Sequence, residues 1–327
     1  MYDLVCLGEM MLRLSPPRFE RLRQAAALQA RFCGAQFNVA ADMALLGKRT
    51  AFLSRLPANE LGLRALDEGR QYGIDMSHVP LVPESRIGVI YVEFAPEPRE
   101  AVHIYDRERS AASGIKSSDF AWAEILRGAR LAYVDGIFPA LNADCREATL
   151  AFVAAAKAEG CTLCFDMNYR ESLWQLDEAR RVYRDLVSQV DILVTNRSVG
   201  ELLCDYRGSD EDLLHRWHDD FGCRTVCLTL REKFGSSRGG WKSMALENGQ
   251  VAVGRPFEFE IVDRFGTGDA FFAGFLCRYL DSDVQSALDF GNALCALSHT
   301  IEGDVAHTSR EAVDQLVQQG YRASMRR

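Results

Sequence analysis

Apolar positions along the chain fall into short blocks of strand length, separated by longer stretches with helical spacing. Leu4 to Leu7 is a continuous apolar run ending at Gly8-Glu9, as a strand buried on both faces would be. From Asn38 to Leu46 the apolar residues keep helical spacing and stop at Gly47, a residue suited to ending a helix. Between Ile87 and Tyr105 the pattern shortens to β-like runs, Val89-Ile-Tyr-Val and Ala101-Val-His-Ile-Tyr, joined by a Pro-containing turn. From Leu131 onward, strands alternate with helices. Leu131 to Val134, Thr162 to Phe165, Ile192 to Val194 and Thr225 to Leu228 are apolar and of strand length, with amphipathic helices such as Cys145 to Glu159 between them. Repeated βα units imply a mainly parallel sheet covered on both faces. The short strands near 10–16 and 87–105 lie outside that alternation and predict a small appended sheet. The expected class is α/β with a minor β lid.

Composition narrows the function. The 327 residues are 48% hydrophobic and 26% charged, which is ordinary for a chain that buries a core and excludes wholesale disorder. That length fits one large α/β domain or a domain with an appendage, and no repeat or linker divides it. Asp and Glu number 46 against 38 Lys and Arg, for a net charge of −8. This balance argues against nucleic acid or an anionic membrane as partner. No run of about 18 apolar residues is present, so nothing is expected to span a membrane. Met1 to Cys6 lacks the basic and long apolar regions of a signal peptide, so a cytoplasmic location is expected. Thiols stay reduced there, and the ten cysteines sit within apolar runs. Cys161-x-x-Cys164 lies in a strand and has no second pair at metal spacing, so buried, inert thiols are expected rather than redox or metal chemistry.

The segment richest in chemistry is Asp263-Arg-Phe-Gly266-Thr267-Gly268-Asp269-Ala-Phe-Phe-Ala-Gly274. It follows the strand-like Phe257 to Val262 and enters an apolar helix. Glycines let a backbone approach a ligand closely, and free amides at a helix start suit a phosphate. The spacing is neither a dinucleotide fingerprint nor a P-loop. The residues alone leave two readings open: a phosphate cradle, or a helix capped by Asp269 with glycines in its turn.

This segment resembles the Asp-Thr-x-Gly-Ala-Gly-Asp signature of the ribokinase/PfkB family of sugar kinases. Cys33-Gly34-Ala-Gln-Phe-Asn38-Val-Ala is similar to that family's Gly-Gly-x-x-x-Asn-x-Ala signature, with Cys33 in place of the first glycine. Asn196-Arg-Ser-Val199 falls where the family carries Asn-x-x-Glu, with valine in place of the glutamate and Glu201 two positions on. The resemblance covers nearly the whole chain. It implies a ribokinase-like three-layer α/β/α domain over 1–327, with a discontinuous β lid from about 10–33 and 87–110. It makes Asp269 the catalytic base, ionised by the helix dipole, and the amides of Gly266, Thr267 and Gly268 an anion hole. ATP and Mg²⁺ are the implied co-substrate and ion, with divalent ligands unassigned. Asn196, Thr229, Gly268 and Asn292 match nucleotide contacts. Asp263 and Gly303 match places where backbone oxygens hold K⁺. His299 is expected to be packed or at the adenine edge.

Several longer segments resemble 2-keto-3-deoxygluconate kinases within that family: Gly8-Glu9-Met-Met-Leu-Arg13-Leu-Ser-Pro-Pro17, Asp166-Met-Asn168-Tyr-Arg170, Thr229-Leu-Arg231-Glu232 and Val262-Asp-Arg-Phe-Gly. The implied substrate contacts are Gly34, Asn38, Tyr105, Arg107, Arg170 and Asp269. Arg107 and Arg170 suit a sugar carboxylate because guanidinium binds it bidentately. Arg13 stands where neutral-sugar kinases carry an Asp, and suits an anionic substrate better, although a surface ion pair is its plainer role. The resemblance thus implies phosphoryl transfer to the 6-hydroxyl of 2-keto-3-deoxygluconate. The alternatives are a kinase of another sugar such as fructose, or a catalytically impaired nucleotide- or sugar-binding relative. A homodimer through the lid is a further expectation.

Overall fold

A computed structural model describes residues 1–235 and 237–319; the last residues of the expected domain, 320–327, lie outside the described residues. The chain begins β1 (Leu4–Leu7), β2 (Met11–Ser15), β3 (Gln29–Cys33), α1 (Ala35–Leu45) and β4 (Thr50–Leu53). It continues β5 (Leu56–Pro57), α2 (Glu60–Gln71), β6 (Leu81–Val82), β7 (Gly88–Glu93) and β8 (Val102–Asp106). Next come α3 (Trp122–Leu126), β9 (Leu131–Asp135), α4 (Ala143–Ala158), β10 (Thr162–Asp166), α5 (Leu176–Val187) and β11 (Ile192–Asn196). The last part runs α6 (Arg197–Cys204), α7 (Asp210–Phe221), β12 (Thr225–Lys233), β13 (Arg238–Glu247), β14 (Gln250–Val253) and β15 (Phe257–Glu260). It closes with α8 (Thr267–Tyr279), α9 (Val284–His299) and α10 (Arg310–Gln319).

The main sheet has the order β14-β13-β12-β11-β10-β9-β1-β4, with β15 also on β13. It is parallel from β4 to β12 and antiparallel beyond. Side chains alternate faces along each strand. Leu4 and Cys6 join the core layer built with α1, α8 and α9, while Val5 and Leu7 join the opposite layer with α4 and α5. This is why the parallel strands read as unbroken apolar runs: both faces are covered. Two helical layers therefore enclose one sheet.

A second sheet, β3-β2-β7-β8, stands apart from the first and forms a lid. Its apolar face holds Met11, Cys33, Ile90 and Val92, which pack with Phe94 and with Phe265 of the glycine segment. The lid therefore rests on the loop that opens α8. No helix among the described residues is long and apolar enough to cross a membrane.

Helix α1 starts earlier than its apolar spacing predicts, at Ala35 rather than Asn38, because the chain turns at Gly34. A Cβ there would lie 2.1 Å from the Glu9 carbonyl oxygen, so the lid strand can enter the helix only without a side chain. The helix stops as expected before Gly47, which holds φ at +88°.

Candidate active site

Between lid and sheet lies a cleft of about 980 Å³. The carboxyl ends of β10, β11 and β12 form one wall, and open α/β sheets place ligands at such ends. The lid supplies Tyr105 and Arg107, and the glycine segment closes the floor. Gly34, Asn38, Arg170, Asn196, Thr229, Gly266, Thr267, Gly268 and Asp269 all line it, which brings together most of the expected site.

Gly266 precedes α8 with φ at +68°, and a Cβ there would sit 1.8 Å from the Asp304 carbonyl oxygen. Only glycine fits this turn. Thr267 is buried, and its hydroxyl donates to the Arg264 carbonyl at 3.2 Å, tying the loop to the helix start. The first four amides of a helix have no partner within it, so those of Gly266, Thr267, Gly268 and Asp269 open toward the cleft with the positive end of the helix dipole. Asp269 is not the cap; Gly266 holds that position, and Asp269 stands in the first turn. Its Oδ2 accepts from Asn38 Nδ2 at 2.7 Å.

The expectation that the helix dipole keeps Asp269 ionised is corrected by its surroundings. Burial, and the charges of Asp166 and Asp135, push its carboxyl up to about 7, against the Asn38 hydrogen bond and Arg170. Asp166 is likewise pushed up to about 7, first by burial and then by Asp135. Asp135 is fully buried at the end of β9, raised by burial, and accepts from Ile137 N, Phe138 N, Gln36 Nε2 and Asn168 Nδ2. Neighbouring strands thus end in carboxylates that crowd Asp269. Carboxyls this close cannot all ionise freely.

The arginines divide. Arg170 is exposed beside the cleft; its Nη1 donates to the Tyr169 carbonyl at 3.1 Å and leaves the rest of the fork open. Arg107 is held by Glu9, with Nε 2.8 Å from Oε2, while Ser110 Oγ donates to Oε1 at 2.6 Å. Arg13 is ion-paired, as its plainer role expects, but in the interior rather than at the surface. It is 1% exposed, binds Asp263 and Asp304 at 2.6 Å each, and lies between the rings of Phe94 and Phe265. A buried Arg with two carboxylates already bound is a strut between lid and glycine loop, not a sugar ligand.

The nucleotide positions divide too. Asn196 caps α6, its Oδ1 accepting from Val199 N at 3.1 Å, and Thr229 Oγ1 donates to the Thr195 carbonyl at 3.3 Å; both face the cleft. Asn292 does not. It is fully buried, accepts from Ser243 Oγ at 2.7 Å and donates to the Arg255 carbonyl at 2.9 Å, so its polar atoms are spent on packing α9 against β13. Glu201 pairs with Arg197 and does not line the cleft, so it does not replace the absent glutamate at Val199. Asp263 and Gly303 meet, Gly303 N donating to Asp263 Oδ2 at 3.0 Å. His299 packs flat on Phe259 with ring centroids 4.0 Å apart, and burial lowers it to about 4. The ten cysteines carry free thiols, and burial raises both Cys161 and Cys164.

Glu9, Asp135, Asp166 and Arg231 belong to this site without a role read from the sequence. The signal available was position: each of the three acids follows an apolar run at the carboxyl end of a parallel strand.

Comparison with known proteins agrees with this geometry. Residues 1–309 match the model of the pfkB family carbohydrate kinases. A 2-dehydro-3-deoxygalactonokinase of Haloferax volcanii is 35% identical over 319 residues, covering 97% of each chain. A 2-dehydro-3-deoxygluconokinase of Bacillus subtilis is 28% identical over 307 residues, covering 93% of this chain and 91% of its own. The crystal structure of a 2-dehydro-3-deoxygluconokinase from Thermotoga maritima superposes with a TM-score of 0.92 at 32% identity, over 97% of this chain and 98% of that one. The chain has the ribokinase-like α/β fold with a β lid, and it belongs to the pfkB family of carbohydrate kinases.

Proposed function

We propose that the protein transfers the γ-phosphate of ATP to the 6-hydroxyl of a 2-keto-3-deoxy sugar acid, with 2-keto-3-deoxygluconate as substrate. The observation that carries this is Asp269, set in the first turn of α8 beside unpartnered amides and held by Asn38 at 2.7 Å. The sugar oxygen forms a bond to the γ-phosphorus while the bond from that phosphorus to the ADP oxygen breaks. Asp269 takes the hydroxyl proton, and a base poised near the working pH does this best. The amides of Gly266, Thr267 and Gly268 meet charge developing on the transferring phosphoryl group. Closure of the lid excludes water, so that sugar rather than water is the acceptor.

Gly34, Asn38, Tyr105, Arg107 and Arg170 form the sugar-acid subsite in this reading, with Arg170 the carboxylate ligand and Arg107 aligned by Glu9. Asn196, Thr229 and Gly268 take the nucleotide side; Asn292 is left out. Among the described residues no group of three or more His, Cys, Asp or Glu gathers as a metal site. In this reading Mg²⁺ enters as MgATP, where phosphate oxygens and water would be its main ligands and it would offset phosphate charge. The junction of Asp263 and Gly303 is where backbone oxygens would hold K⁺. The exposed edge strand β8, with Val102 and Ile104, is the face on which we expect a second copy to pair. A cytoplasmic setting accords with the ATP substrate and ten unpaired thiols.

The 35% identical galactonokinase supports a second reading, in which the acid sugar is the C4 epimer. Asp269→Ala tests the shared chemistry. Phosphoryl transfer should vanish while ATP still binds by calorimetry, and near-normal turnover would overturn the assignment.

A further inference from the structure

Arg231 is a cation at the reacting end of the cleft that the reading above does not use. It leaves β12 at the cleft wall, two residues after Thr229. Its guanidinium lies over the ring of Trp241, 5.0 Å from the centroid, and Trp241 is itself 2% exposed. A fixed aromatic platform limits the orientations of the planar head and adds a cation–π attraction. A Cβ built on Gly268 would lie 3.5 Å from Arg231 Nη2, so the fork ends against the second residue of α8. Among the described residues no carboxylate lies within ion-pair distance of Arg231, whereas its neighbour Glu232 pairs with Lys242 at 3.5 Å. Its donors therefore point positive charge into the cleft beside the anion-binding amides.

We propose that Arg231 is a catalytic residue, binding oxygens of the terminal phosphate of ATP and stabilising the charge that develops on it in transfer. This rests on the kinase reading above. The backbone amides supply fixed donors from the helix, and Arg231 supplies a full charge from the opposite strand, so the phosphoryl group is held from two sides. Trp241 takes a positioning role by holding the guanidinium flat. A rigid fork matches phosphate oxygens bidentately; a lysine at this place offers only a point charge.

The test compares wild type, Arg231→Met and Arg231→Lys, each first checked for an unchanged melting temperature. Steady-state turnover with 2-keto-3-deoxygluconate should show kcat lowered about 10²- to 10³-fold in Arg231→Met, with KM for the sugar within about twofold. Arg231→Lys should recover part of the loss. Calorimetry with ATP and ADP reads the same contact without any sugar: wild type should prefer ATP, and Arg231→Met should lose that preference. An unchanged kcat in Arg231→Met, or an ATP preference that survives, overturns the proposal. If wild type transfers phosphate to no sugar, the kinase reading fails, and the ATP-over-ADP comparison still decides whether Arg231 holds the terminal phosphate.

Discussion

Asn38→Ala removes the hydrogen bond that lowers the Asp269 carboxyl. The bond runs from Asn38 Nδ2 to Asp269 Oδ2 at 2.7 Å, in a place where burial and two neighbouring aspartates already push the carboxyl up to about 7. A hydrogen bond to a charged group contributes about 1.5–3 kcal/mol, and about 1.4 kcal/mol corresponds to one pH unit, so its loss should raise the carboxyl by about 1–2 units. In the proposed mechanism Asp269 acts as a base when deprotonated, so activity should climb with pH through this value. At pH 7 the ionised share should fall from about one half to between about one tenth and one hundredth. The profile to measure is kcat/KM against pH, which reports the free enzyme, taken from pH 5.5 to 9.5 with quenched samples and direct ADP quantification. Asn38 also lines the cleft where the sugar subsite is proposed, so the plateau height should drop; the position of the acid limb carries the information. A limb that stays within about 0.3 unit of wild type, or moves to lower pH, would refute the link between Asn38 and the base.

Other outcomes follow from the same site. Arg170→Ala should raise KM for the keto-deoxy acid by more than tenfold, on the order of one lost charged hydrogen-bond pair, while KM for ATP stays put; equal losses for acidic and neutral sugars would contradict a carboxylate ligand. Arg13→Met leaves Asp263 and Asp304 buried without their partner and should cost about 3–5 kcal/mol in urea unfolding, with partial recovery when both acids become Asn. Asp166 at about 7 and Asp304 at about 6 hold protons in the folded state that the unfolded chain releases near pH 4. Their stabilisation is complete below that pH and is lost as pH rises through about 6–7. The stability gained by Asp166→Asn over wild type should therefore be larger at pH 8 than at pH 5.5, read from urea midpoints; the reverse order would contradict the raised carboxyl.

The parallel half of the fold is legible because burial on both faces writes each strand as an apolar run. Within the antiparallel half β13 is not, since it carries Gly239, Gly240 and Lys242 within its length and divides its outer pairing between β14 and β15. Its Asn248-Gly249 turn, with φ at +51° and +74°, was the available hairpin signal. The glycine loop that opens α8 is legible because its residues are consecutive. The carboxylates around Asp269 are not, because Asp135 and Asp166 end different strands and meet it only through topology. Arg13 shows the same limit: its partners lie 250 and 291 positions away, and nothing local reveals that its charge is already neutralised. An acidic chain can therefore handle anions, since net charge describes the exterior and the site gathers Arg107, Arg170, Arg231 and the helix amides on its own.

The preference for an acid sugar is tested most directly by turnover of the wild-type enzyme with MgATP on 2-keto-3-deoxygluconate, 2-keto-3-deoxygalactonate, fructose and ribose, measured side by side. A keto-deoxy acid should exceed both neutral sugars in kcat/KM by about 100-fold or more, as expected of a site with a dedicated charged ligand. Fructose or ribose turning over as well as either acid would contradict it.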